Sequence, residues 1–210
     1  MSRRTTRITD ASAFVLHSTP WRETSLILKA FSREHGIVTL VAKGAKRPYS
    51  GLRSVLMVFQ PLSLSWSGAA EVKTLTQAEV VSIIPMPGSV LMSGWYMNEL
   101  LIKLLALEDP HPVLFDAYAQ AISQLAELGH LARGRATAAV LRQFEWVLLR
   151  EIGYGLSGPT PDFTDASQAA ALKVLLQEQI LAQVPGSALA SRQVLLSLRR
   201  LSSPPEPHDL

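Results

Sequence analysis

The feature that most constrains this chain is a change of period at Pro85-Met86-Pro87-Gly88. Before that break, apolar residues recur at every second position in short runs. After it they recur every three to four. Leu62, Leu64 and Trp66 alternate with Ser63 and Ser65, and Val38, Leu40 and Ala42 share one parity within residues 36–43. A period of two belongs to a half-buried strand, so runs at 13–18, 24–31, 36–43, 55–66 and 71–81 predict five strands. Turn signals separate them, at Thr19-Pro20-Trp21-Arg22, Arg33-Glu34-His35-Gly36 and Ser67-Gly68.

Five short strands with no helical period between them are expected to close on themselves, because closure removes the edges that invite aggregation. The fold class is therefore α+β: a five-stranded oligonucleotide-binding (OB) type barrel over residues 12–84, then an all-helical domain over 89–201. Helices are expected at 89–107 with Ser89 as cap, at 112–129 between Pro112 and Gly129, at 135–152, at 165–183 and at 187–201. In the third of these, Leu141, Phe144, Leu148 and Ile152 fall at offsets 0, 3, 7 and 11. Residues 1–11 are expected to be a flexible basic N-terminus and 202–210 a disordered Pro-rich tail.

Charge is unevenly spread. Residues 1–88 hold eleven basic and five acidic side chains, and residues 89–210 hold nine and twelve. Within the basic half, residues 35–70 contain no Asp or Glu, and they centre on a loop carrying Lys43, Lys46, Arg47, Tyr49 and Arg53. Clustered cations without carboxylates, beside an aromatic ring, are suited to a polyanion: phosphates supply the attraction and a base stacks on the ring. The plainer alternative is a solvated hairpin tip with incidental lysines. Trp66 shares the parity of Leu62 and Leu64 and is expected in the core. Trp21, in a Pro-Trp turn, is open to either role.

Several chemistries find no support. The chain has no cysteine, which excludes disulfides and thiolate-held metals and fits a reducing compartment. The five histidines lack metal-ligand spacing, and neither a phosphate-binding G-x-x-x-x-G-K-[ST] loop nor a G-x-S-x-G elbow occurs. His17, within a strand run, is expected to be a packed or hydrogen-bonded core histidine. The apolar run 89–107 carries Glu99 and Lys103 near its middle, at a cost of roughly +2.5 to +3.5 kcal/mol each in a bilayer. It reads as a buried core helix of a cytoplasmic protein that is expected not to be an enzyme and to use no cofactor. In the helical half Arg142 sits beside the Leu141–Ile152 stripe. There its guanidinium could fork onto a carboxylate next to an apolar groove, or simply pair with Glu145 at i+3 on the surface.

The residues Ala13-Phe-Val-Leu-His-Ser-Thr-Pro-Trp-Arg-Glu-Thr-Ser-Leu-Ile-Leu28, with Glu34-His-Gly-Ile-Val-Thr-Leu-Val-Ala-Lys-Gly-Ala45, resemble the N-terminal barrel of the RecO family. Tyr96-Met-Asn-Glu-Leu-Leu101, Leu141-Arg-Gln-Phe-Glu145 and Gly153-Tyr-Gly155 continue the likeness, which covers about residues 12–157. The resemblance implies a non-enzymatic mediator of DNA repair and recombination. Such a protein binds single-stranded and double-stranded DNA, anneals complementary strands, and works with RecR to load RecA onto DNA coated by single-strand-binding protein (SSB). It also implies that Arg142 lies in a pocket for the acidic C-terminal tail of SSB. After Gly158 the family's insertion, zinc-binding in some members, looks shortened here, with Ala190-Ser-Arg-Gln-Val-Leu195 as a remnant of the last element. Two other classes fit the residues alone: a protein-interaction adaptor that never touches nucleic acid, and an RNA-binding barrel protein.

Overall fold

A computed structural model of the chain describes residues 7–129, 134–154, 156, 158–184, 189–191 and 194. Five strands, β1 (Arg7–Trp21), β2 (Ser25–Ser32), β3 (Gly36–Ala42), β4 (Pro61–Ser67) and β5 (Val72–Val80), close in the order β1-β2-β3-β5-β4. All neighbouring pairs are antiparallel except β3 with β5. Side-chain alternation fills the barrel with Val15, Leu28, Leu40, Leu62, Leu64 and Trp66, each essentially without exposure. Trp66 is thus a core residue, as its parity predicts.

The strand β1 serves two cores. Its register shifts between Val15 and His17, so Leu16 is an extra residue without a partner in the ladder. Val15 points into the barrel, while Phe14 and Leu16 belong to the core shared with the helices. Such a bulge re-aims every side chain beyond it. His17 accordingly faces solvent, which corrects the expectation of a core histidine. The carbonyl of Leu16 accepts a 2.8 Å hydrogen bond from Asn98 Nδ2, and Asn98 Oδ1 accepts a 2.7 Å bond from Tyr118 Oη. Burial pushes the Tyr118 hydroxyl pKa up, so it stays a neutral donor.

The helices are α1 (Leu52–Val55), α2 (Gly88–Leu104), α3 (Pro112–Gly129), α4 (Gly134–Glu151) and α5 (Ala169–Gln183). The helix α3 has the bounds its Pro and Gly predict. Elsewhere the structure corrects the sequence reading. The run 55–66 is not one strand: Val55 ends α1, and β4 starts at Pro61. Leu52, Val55 and Leu56 pack one helical turn onto the barrel core, so their apolar character seals the barrel instead of pairing in it. Residues 7–11, read as flexible, pair with β4. Ser89 caps nothing; its hydroxyl donates to the Gly129 carbonyl at 3.0 Å. The start of α5 is delayed because Asp162 and Asp165 accept hydrogen bonds from Thr164 and Ser167, the local bonding that competes with helix. The tail 202–210 and most of the expected helix 187–201 lie outside the described residues.

Barrel and helices are joined by shared burial. Phe14 meets Tyr118 edge-on at 5.1 Å, and Phe31 lies 5.4 Å from Phe115. Each such buried side chain contributes about 1.5–3 kcal/mol. Gly36 adopts φ +65°, and a Cβ there would stand 2.1 Å from the Asp109 carbonyl oxygen, so glycine permits the close approach of the α2–α3 connection. Around this seam Arg33 forks onto both oxygens of Asp116 at 2.9 Å, and Lys73 pairs with Glu108.

Candidate nucleic-acid interface and cationic cleft

The loop after β3 is built from consecutive tight turns. Arg47 N–H donates to Gly44 O at 3.0 Å, Ser50 N–H to Arg47 O at 3.1 Å, and Arg53 N–H to Ser50 O at 3.3 Å. Gly44 at φ +73° opens the first of these turns, and Ala45 anchors the loop in the barrel core. Anchored this way, Lys43, Lys46, Arg47, Tyr49 and Arg53 all project outward and are exposed. The structure therefore brings four of the predicted residues together on one loop and places Arg53 directly after them, on α1.

Electrostatically, this loop differs from the seam beside the helices. Arg33 and Lys73 are taken by Asp116 and Glu108, whereas no loop cation has a carboxylate partner among the described residues. Tyr49 is fully exposed and sits at φ 64°. A bulky side chain in the left-handed region costs of order 1–3 kcal/mol, and such strain concentrates at functional sites.

Arg142 occupies a second, differently built site. Its Nη2 donates to Glu145 Oε1 at 2.7 Å, and Tyr96 Oη donates to the same oxygen at 2.7 Å. The i+3 pair expected as the plain alternative thus exists, but it is not a surface pair. Glu145 is fully buried, and the Arg142 side chain is 12% exposed. Arg142 Nε and Nη1 are buried without a hydrogen-bond partner among the described residues, leaving donors that an anion could satisfy.

The same arginine lines a cleft of about 740 Å³ between α4 and α5. Its walls include Leu141, Phe163, Ile180 and Leu189, with Arg135 and Lys173 as further cations. Apolar walls with convergent cations suit an acidic segment carrying an apolar side chain. The sequence reading missed Arg135 and Lys173, which come together only when α5 folds back on α4. It also missed the role of Glu99. This carboxylate accepts hydrogen bonds from Ala190 N–H, Ser191 N–H and Ser191 Oγ at 2.6–2.9 Å, and pairs with Lys103 at 3.0 Å. Burial opposes its ionisation, yet those bonds outweigh burial and hold its pKa at about 2. Glu99 therefore ties the segment at 189–191, one wall of the cleft, to α2.

No helix among the described residues is long and apolar enough to cross a membrane. The described residues also contain no cluster of three His, Cys, Asp or Glu side chains that could hold a metal ion.

Comparison with known sequences agrees with this division of the chain. The profile described as Recombination protein O N terminal matches residues 6–84, and that described as Recombination protein O C terminal matches residues 89–158. The chain is 57% identical over 149 residues to the DNA repair protein RecO of Ralstonia nicotianae, covering 70% of this chain and 53% of that protein. It is 57% identical over 152 residues to the RecO of Aromatoleum aromaticum, covering 71% and 60%. Against the RecO of Burkholderia pseudomallei it is 55% identical over 152 residues, covering 72% and 53%. The match spans little more than half the length of these curated relatives, and α5 with the cleft wall it supplies lies beyond residue 158, where the C-terminal profile's match ends. With both terminal profiles matched in order, one to the barrel and one to α2–α4, the chain belongs to the RecO family.

Proposed function

We propose that this chain is a mediator of DNA repair and recombination that binds and anneals single-stranded DNA through its barrel. In this reading it engages the acidic tail of SSB through the Arg142 cleft, and together with RecR it helps RecA onto SSB-coated strands. The observation that carries the DNA-binding part is the acid-free loop at Lys43, Lys46, Arg47, Tyr49 and Arg53. Its cations are unpaired among the described residues, and its ring is fully exposed. A shallow basic surface of this kind neutralises backbone charge without gripping base edges, so two bound strands stay free to pair. Double-stranded DNA is met by the same backbone contacts. The cleft supports the second part: buried arginine donors, unpartnered among the described residues and beside Leu141 and Phe163, match a peptide that is acidic and apolar at once.

The test is fluorescence annealing of complementary oligonucleotides, bare and SSB-coated, with salt varied. Annealing that is accelerated on both templates and falls as salt rises supports the reading. No acceleration on bare strands at low salt would remove the DNA-binding half. That result would leave an adaptor acting through the cleft.

A further inference from the structure

The outer face of the barrel beside the basic loop carries a second set of groups that the loop alone does not explain. In β2 and β3, Leu28, Ala30, Val38 and Leu40 face the barrel core. Positions 25, 27, 29, 39 and 41 are therefore turned outward, since strand side chains alternate between faces; Thr39 is buried there and the other four are half-buried. Beyond the bulge at Leu16, β1 joins that outer face in register: His17 pairs with Lys29, Thr19 with Ile27 and Trp21 with Ser25. None of these outward positions carries a carboxylate. Lys29 is held across the face by a 2.9 Å hydrogen bond from its Nζ to Thr39 Oγ1.

This face is physically continuous with the basic loop. The amide of Lys46 donates to the carbonyl of Thr24 at 2.8 Å, fastening the β1–β2 turn to the loop. The last registered pair of β2 and β3 is Leu26 with Ala42, so Lys43 lies one step beyond it, beside Ser25. Trp21 is the partner of Ser25 on the other side. Two strand spacings of roughly 4.8 Å thus put the Lys43 and Trp21 backbones about 10 Å apart. Trp21 is 45% exposed, while Trp66 and Trp146 are buried and Trp95 is half-buried against Phe59. Trp21 thus leaves close to half of its surface open at a strand end, next to cations.

We propose that a single nucleic-acid strand leaves the basic loop and crosses the outer face of β1, β2 and β3, with a base stacked on Trp21 and backbone phosphate met by Lys43 and Lys29. Arg22 and Glu23 are both exposed at the hairpin tip, so their charges offset there. The track rests on the DNA-binding reading above and adds a stacking residue and a path to it.

The test uses the full chain and an unlabelled oligo-dT, reading tryptophan emission and its quenching by acrylamide. A parallel anisotropy titration with fluorescein-labelled oligo-dT reports binding independently. The track predicts that DNA quenches the emission and shields it from acrylamide, and that Trp21→Phe loses this signal while binding nearly as tightly. Trp21→Ala should weaken binding roughly tenfold, the expectation for one lost stack. Lys29→Gln should lower the log–log salt slope by about 0.7. Binding by anisotropy with acrylamide access unchanged would overturn the track and leave the DNA-binding reading standing. Absence of binding by anisotropy at low salt would overturn both.

Discussion

The basic loop and the Arg142 cleft are both cationic, yet they are built on opposite principles. Lys43, Lys46, Arg47 and Arg53 are exposed to solvent on a segment held by backbone turns. Their attraction for phosphate is additive, indifferent to base sequence and strongly screened by salt. Arg142 is buried, locked to a fully buried Glu145 and surrounded by apolar walls. There a charge is weakly screened, and removing one partner strands the other in a low-dielectric site. One chain thus carries a surface suited to a long, uniform polyanion and a cleft suited to a short, specific one. The difference teaches that burial decides how a positive charge is used.

The largest expected effect tests the buried side. Arg142→Ala should destabilise the fold by about 3 kcal/mol, the low end for a broken buried pair because Tyr96 still donates to Glu145. A urea midpoint reads this directly. A loss of only a few tenths would put the pair in the category of surface ion pairs and collapse the contrast between the two regions.

Changing Lys43, Lys46, Arg47 and Arg53 together to Ala should leave stability within about 0.5 kcal/mol, since these groups are exposed. It should instead lower the salt slope of single-strand binding by roughly 2.8, at about 0.7 per lost phosphate contact. An unchanged slope would make the loop a bystander and favour an adaptor. Tyr49→Gly sharpens the same side. At φ 64° glycine relieves the left-handed strain, so stability should rise by up to about 1 kcal/mol. Single-strand affinity should nevertheless fall by about 1–3 kcal/mol if the ring stacks on a base. A parallel rise in both would mean that Tyr49 is strained without use.

The smallest effect concerns the cleft wall. The Glu99 pKa is lowered from 4.5 to about 2 by bonds to the 189–191 segment. A group depressed on folding contributes stability that is present above its unfolded pKa and lost as pH falls through the folded one. The Ala190 and Ser191 amides should therefore lose hydrogen-exchange protection as pH drops from about 4.5 toward 2, and Glu99→Gln should lose it at neutral pH. Protection flat with pH would dissociate Glu99 from the wall.

How far the sequence carried depends on the range of the interaction concerned. Parity alone placed Leu62, Leu64 and Trp66 in the barrel, and the Pro112 and Gly129 punctuation bounded α3, because these signals act within a few residues. The single-residue bulge at Leu16 reverses the phase of β1, so His17 was assigned to the wrong face. The four residues of α1 are too few to display a helical period. Residues 7–11 pair with β4, but Arg-Ile-Thr-Asp-Ala offers no alternation to read, and the register shifts between Ile8 and Ala11. The loop residues could be gathered from the sequence because they are contiguous. The cleft could not: Arg135, Arg142 and Lys173 meet only through the packing of α4 on α5, and Glu99 lies ninety-one residues from the amide it holds.

The most direct test of two sites with two kinds of electrostatics is a crossed binding experiment. The fourfold loop variant and Arg142→Lys, which keeps the charge but loses the fork, are each titrated with labelled oligo-dT and with an acidic peptide ending in phenylalanine. Low and high salt are compared, and a thermal melt is run on each variant. The account predicts that the loop variant loses oligonucleotide binding and keeps the peptide. Arg142→Lys should weaken the peptide by about 1.5–3 kcal/mol and spare the oligonucleotide, and only the oligonucleotide should respond steeply to salt. Proportional loss of both ligands in both folded variants, with one shared salt dependence, would mean a single merged site and contradict it.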